Sequence, residues 1–171
     1  MIPMAAQVRG MFIIPALQEA KRAKVSMTQL RDRYLPFQFY PLREHARVLA
    51  NTAAAVYPKL PIRQGLRKLG RGAPHAFAGS TLGRVLLQAA QGVEEVVGAL
   101  AKGYELTLNP GRALVEARGP RCLDVILEDV HYFVDCHHVG AFEGAIKYAN
   151  AQGRVRLQRI SAAQAVLRLE W

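Results

Sequence analysis

The spacing of apolar residues changes once along the chain. Up to about residue 108 they recur three and four apart, and from about 109 onward they alternate. "QVRGMFII" has a β-rich character, and Pro15 is placed to be the first helical residue of "PALQEAKRAK". Ser26 with Gln29 matches a capping box, which predicts a short helix over "MTQLRDRY" that Pro36 ends. Pro41 opens the next helix, with Leu42, Leu49, Ala53 and Val56 on one face. After Pro58 and Pro61, "IRQGLRKLGRGA" sets Ile62, Leu66, Leu69 and Ala73 in an apolar stripe, with Arg63, Arg67 and Arg71 opposite. Ser80 is the expected cap of "TLGRVLLQAA", and Gly92 its end. "VEEVVGALAKGYELTL" then gathers Val96, Val97, Leu100, Ala101 and Tyr104 on one side.

"NPG" at 109–111 is turn chemistry, and short apolar runs follow it. "RALVEAR" and "RCLDVILE" around Gly119 and Pro120 read as a hairpin. A helix is expected from about 137 to 151, stopped by Gly153. Two strands come after it, "RVRLQRI" and the alternation of Ala165, Leu167, Leu169 and Trp171. The expected class is α+β: a mainly helical part, about 1–108, packed on an antiparallel sheet whose C-terminal part, about 109–171, runs β-β-α-β-β. The second part is short enough to be marginal alone and no long linker precedes it, so residues 1–171 are read as one domain.

Composition adds a compartment and a charge. With 171 residues, 51% of them hydrophobic, the chain has enough core to hold without a disulfide, and Cys122 and Cys136 flank a strand without an obvious pairing. A cytoplasmic protein is expected. Arg9 and Gly10 interrupt the apolar N-terminus, no basic segment precedes it, and no later run reaches the length of a spanning helix. The net charge is +10 and uneven: residues 1–92 carry 14 Lys and Arg against 3 Asp and Glu, whereas 93–171 carry 9 against 10. An anionic partner would therefore meet the first half.

Two groups of residues invite a chemical reading. "HYFVDCHH" places His131, Cys136, His137 and His138 in eight positions of a chain with five histidines. Zinc needs about four converging donors, and adjacent histidines on a helix point about 100° apart. The expectation is therefore no metal, with His138 half buried on the side of Val139, Phe142 and Ile146 and His137 pointing away. Cys136 beside His137 is adjacency, and neither a nucleophile elbow nor a phosphate loop occurs, so no catalytic residues and no cofactor are assigned. The other group is a basic stripe of Lys59, Arg63, Arg67, Lys68 and Arg71, with Arg43, Arg47 and Arg84 in neighbouring helices. Such a face reads first as solvated, and otherwise suits an acidic protein, a nucleic-acid backbone or anionic lipid; it carries no Asn or Gln set out for base edges.

The chain resembles a paralogous family of uncharacterised myxobacterial proteins, a domain of unknown function of about this length. The resemblance rests on "VRGMF", "PLREHARVLANTAAAVYP", "LGR" at 69–71, "VGAFEGAI" at 139–146 and the terminal "LRLEW". The β-β-α-β-β tail is more loosely similar to the four-vinyl-reductase and haem nitric-oxide-binding fold group, some members of which bind haem or acyl chains between helices and sheet. The Tyr-x-Ser-x-Arg motif that clasps haem propionates in that group is missing, as is the cysteine set of many four-vinyl-reductase domains. That likeness then implies an apolar pocket between helices and sheet. The resulting expectation is a non-enzymatic binding or signalling module for a protein partner or an apolar small molecule. A nucleic-acid-binding protein is the first alternative and a haem or metal sensor the second; a homo-oligomer stays open.

Overall fold

The structure is a computed structural model that describes residues 2–25, 31 and 33–171. Its elements run β1 Gln7–Arg9, α1 Gly10–Arg22, β2 Phe39–Pro41, α2 Leu42–Val56, α3 Ile62–Gly70, α4 Ala73–Ala78, α5 Thr81–Leu87, α6 Val93–Thr107, β3 Leu108–Asn109, β4 Arg112–Gly119, β5 Cys122–Glu128, α7 His137–Tyr148, β6 Arg154–Arg159 and β7 Ala165–Glu170. The class is α+β, and the second part runs β-β-α-β-β as its alternation implied.

β4, β5, β7 and β6 form one antiparallel sheet in that order. Leu123, Val125, Leu127, Leu167 and Leu169 point to the helices and are buried, while Arg112, Glu116 and Arg168 lie on the face without helices. Asp124, on that same open face, is held by Arg168 and Arg118. A second antiparallel sheet, β2-β1-β3, was not expected. Its strands are two or three residues long, too short to show a period. One contiguous buried cluster runs from Val8 through Val97 and Phe142 to Leu169.

Helix starts and stops differ from expectation at two points. α1 begins at Gly10 and carries Pro15 in its interior. The N–H groups of Gly10 and Met11 donate to the carbonyls of Gln38 and Pro36, so the first turn is satisfied by a loop, and Met11 and Ile13 are buried ahead of the proline. Gly92 does not end α5; it is the N-cap of α6, where Glu95 accepts from the N–H groups of Gln91 and Gly92. Ser80 caps α5 as expected, accepting from the Gly83 N–H. The capping box at Ser26 and Gln29 lies outside the described residues.

α3 crosses α7 closely. A Cβ on Gly70 would meet the His137 carbonyl, one on Gly140 the Arg67 carbonyl, and one on Gly144 the Arg71 carbonyl. Ala73, placed in the α3 stripe by its spacing, starts α4 instead, and Ile62 is exposed; Gly65, Leu66 and Gly70 form the buried face.

Candidate functional site

Two polar groups lie on opposite sides of α7. The inner one is buried. The segment 131–136 alternates, turning Tyr132, Val134 and Cys136 into the core and leaving His131 and Asp135 part-exposed. Tyr132 packs edge-on against His45 of α2 (ring centroids 5.6 Å) and His138 of α7 (4.6 Å), and His137 lies 5.4 Å from His138. Tyr104 of α6 reaches His138 Nδ1 at 2.5 Å, and the ring of Phe142 stacks on Tyr104. Both histidines of the pair are buried, His137 at 7% and His138 at 1% exposure, so the expectation that His137 points away and His138 is half buried is corrected. The reason is that α7 is covered on two sides, by α3 and by α6 with the sheet, and every residue from 137 to 142 is inside.

Burial decides the protonation of this cluster. It holds His45 down to about 3, with His137 adding repulsion, and His137 to about 4. His138 lies well below the ordinary imidazole value through burial and then His137, opposed by the Tyr132 backbone, with His45 adding the smallest repulsion. Burial raises the phenols of Tyr104 and Tyr132 and pushes the Cys136 thiol up to about 11. All are therefore neutral near pH 7. The Tyr104 hydroxyl and His138 Nδ1 share a hydrogen bond whose direction is set by the tautomer of the neutral ring, and the other ring nitrogen is Nε2. That nitrogen, His45 Nδ1, His137 Nδ1 and Thr52 Oγ1 are buried without a hydrogen-bond partner. Burial keeps the Cys136 thiol protonated, and Asp135, whose carboxylate lies within hydrogen-bond reach of that thiol, is engaged by Arg63 at 2.8 Å and Arg159 at 3.4 Å. Among the described residues no group of three or more His, Cys, Asp and Glu is arranged to hold a metal ion.

The outer group is the basic stripe. Arg63, Arg67 and Lys68 lie on α3, Arg71 just past its end, and Lys59 in the turn before it. Arg67 makes a bidentate pair with Glu143 of α7, Arg71 joins the same carboxylate at 2.8 Å, and Lys68 sits over the Tyr57 ring. The Glu143 carboxylate raises the proton affinity of Arg67; burial pushes that of Glu143 up, but Arg67 and Arg71 together hold it below the usual carboxylate range. Three stripe arginines therefore bind the second half of the chain together with the first. Spacing on α3 alone does not reveal this, although the Gly140-x-x-Glu143-Gly144 pattern is the signal that does.

A family model described as a protein of unknown function (DUF2378) matches residues 3–171. The chain belongs to this family. No curated protein matches it. Among solved structures it is similar to a triple mutant of an H-NOX protein from S. oneidensis in the Fe(II) state, at TM-score 0.69 and 11% identity over 95% of each chain. It is also similar to an Fe(II) unliganded H-NOX protein from K. algicida, at 0.64 and 15% over 95% of each. A third is an oxygen-binding H-NOX domain related to soluble guanylate cyclases, at 0.66 and 14% over 94% of this chain and 91% of that one. At these identities the likeness is one of fold, and it extends the similarity first read in the C-terminal tail to nearly the whole chain.

Haem figures in the descriptions of such structures, so its fit to these residues matters. A haem needs room for the macrocycle, an axial donor and partners for its propionates. His138 Nε2 is a donor without a partner, but its ring is wedged among Tyr104, Tyr132 and His137. Tyr132 begins a stretch with the spacing of the propionate motif, in which Val134 and Cys136 occupy the other two positions, both buried and neither charged. The residues present do not fit the group. An apolar pocket was expected between helices and sheet; around His138 the rings of Tyr104, Tyr132, His137 and Phe142 pack against one another instead. Two depressions, of about 350 and 380 Å³, lie elsewhere, open to solvent at Arg31, Arg33 and Tyr40 and at Glu94, Arg121 and Trp171.

Proposed function

We propose that this DUF2378 chain is a non-enzymatic cytoplasmic binding or signalling module that recognises an acidic protein partner with the outer face of α3. The observation that carries the reading is the charge balance there. Lys59, Arg63, Arg67, Lys68 and Arg71 are five cations facing two carboxylates, Asp135 and Glu143, and the three guanidiniums stay 43–63% exposed after pairing. A surplus of partly exposed arginine is what an acidic surface complements, giving specificity and a fast encounter. The close ring packing around His138 supports recognition by shape and charge at the surface, and the neutral buried cluster supplies no activated nucleophile. No helix among the described residues is long and apolar enough to cross a membrane, and both cysteines are free, in keeping with a reducing compartment.

Binding of labelled polyglutamate, random-sequence DNA duplex and phosphatidylserine vesicles to the full chain tests this. Polyglutamate should bind, weaken as salt rises, and lose most of its affinity when Lys59 and Lys68 are both changed to Glu, positions that spare the pairs to α7. Tighter binding of the duplex with a steep salt slope would replace the reading with the nucleic-acid one, and preference for vesicles would replace it with a lipid surface.

A further inference from the structure

The four-stranded sheet has two edges, β4 and β6, and they differ in what they offer a second strand. β6 presents Arg154, Arg156 and Gln158 on the open face and no carboxylate, a pattern that discourages pairing. β4 presents Arg112, Leu114 and Glu116 on that face, with Leu114 41% exposed. The β4 ladder with β5 is regular up to Ala117, and the register shifts between Ala117 and Gly119. The outward side of Arg112–Ala117 is thus a regular row of backbone donors and acceptors beyond which, among the described residues, the sheet has no further strand.

We propose that β4 pairs antiparallel with β4 of a second copy of this chain, about a two-fold axis through Leu114. In this register Leu114 faces Leu114 of the second copy. Arg112 faces its Glu116, and Glu116 faces its Arg112. The register is self-complementary, as a two-fold interface must be. Residues of equal parity pair, so every side chain keeps the sheet face it already has. Ala113 and Val115 meet on the inner face, where small and β-branched side chains suit a cross-strand pair. Arg112 and Glu116 now contact Glu128 and Arg118 of their own chain, and both are exposed enough to share a second partner. With so few residues in the pairing the dimer is expected to be weak and concentration-dependent, below the size of standard stable interfaces.

Sedimentation velocity of the full chain from micromolar to millimolar concentration tests the proposal. The wild type should shift from monomer to dimer. Arg112→Glu or Glu116→Arg alone places like charges opposite each other twice per dimer and should weaken it roughly tenfold, and the double exchange should restore it. Leu114→Lys, at an exposed position, is an independent disruption, and Arg156→Glu on β6 should change nothing. A monomer at every concentration overturns the proposal. So does a dimer that the double exchange fails to restore, or one that Arg156→Glu disrupts. Thermal melts confirm that each variant is folded before it is scored.

Discussion

The two sides of α7 solve the problem of polar groups in opposite ways. Toward α3, glycines at 70, 140 and 144 let backbones meet, and Glu143 between two of them answers Arg67 and Arg71. Toward α2 and α6, His45, His137 and His138 crowd around Tyr132; Nδ1 of His45 and of His137 is buried without a partner, while Nδ1 of His138 meets the Tyr104 hydroxyl. The outer side is satisfied and charged; the inner side is unsatisfied and neutral. A buried group without a partner costs about 1–3 kcal/mol, and a half-exposed ion pair contributes less than that. The difference teaches that the seam specifies where α7 sits, while the cluster is a liability that proton concentration exposes.

The largest expected effect follows from the liability. His45 and His137 are held near 3 and 4 against an ordinary value of 6.5, and His138 is lowered as well. Because the folded values are depressed, the unfolded chain binds more protons below about pH 6.5. Stability is then full above that pH and falls as pH drops toward the folded values, at about 1.4 kcal/mol per pH unit for each imidazole. Urea midpoints measured from about pH 8 to 4 should decline steeply below 6.5. His45→Phe, which replaces a ring against Tyr132 with a ring that takes no proton, should cost less than about 1 kcal/mol at the alkaline end and flatten the acid decline. An unchanged slope would mean that His45 is protonated in the folded chain.

Next in size is the seam itself. Gly140→Ala drives a methyl into the Arg67 carbonyl, backbone against backbone, and should destabilise by about 3 kcal/mol despite alanine's better helix propensity. Glu143→Gln should cost about 1–2 kcal/mol, because it weakens the charge-assisted bonds from two half-exposed arginines without emptying the space. If the two costs came out reversed in denaturant titrations, charge rather than close approach would hold α7 in place.

Much of the fold was legible because it rests on local chemistry. "NPG" at 109 marks the change of period, Ser80 and Pro41 mark helix starts, and alternation marks β4 to β7 with only small errors at their ends. The candidate groups were legible as residues but their contacts were not, for two physical reasons. The Arg67–Glu143 and Arg63–Asp135 pairs join residues more than seventy apart in sequence, so a stripe that reads as solvent-facing on α3 turns out to be half of a contact. His137 was assigned outward because a helix is ordinarily wet on one side, and α7 is dry on both. His45 carries no signal in the sequence, being a lone histidine in a regular amphipathic helix, and only folding brings it to Tyr132.

The smallest prediction isolates close approach from helix propensity. Gly98 on α6 is exposed and a Cβ there would meet nothing within 4 Å, in contrast to Gly140 on α7. Gly98→Ala should therefore stabilise the chain by about 1 kcal/mol, the ordinary gain for alanine over glycine inside a helix. The same substitution would then change sign between two helices of one protein, with the backbone of α3 as the cause. Equal shifts at the two positions, read from urea midpoints, would instead assign both glycines to helix propensity alone and remove the seam as the element that places α7.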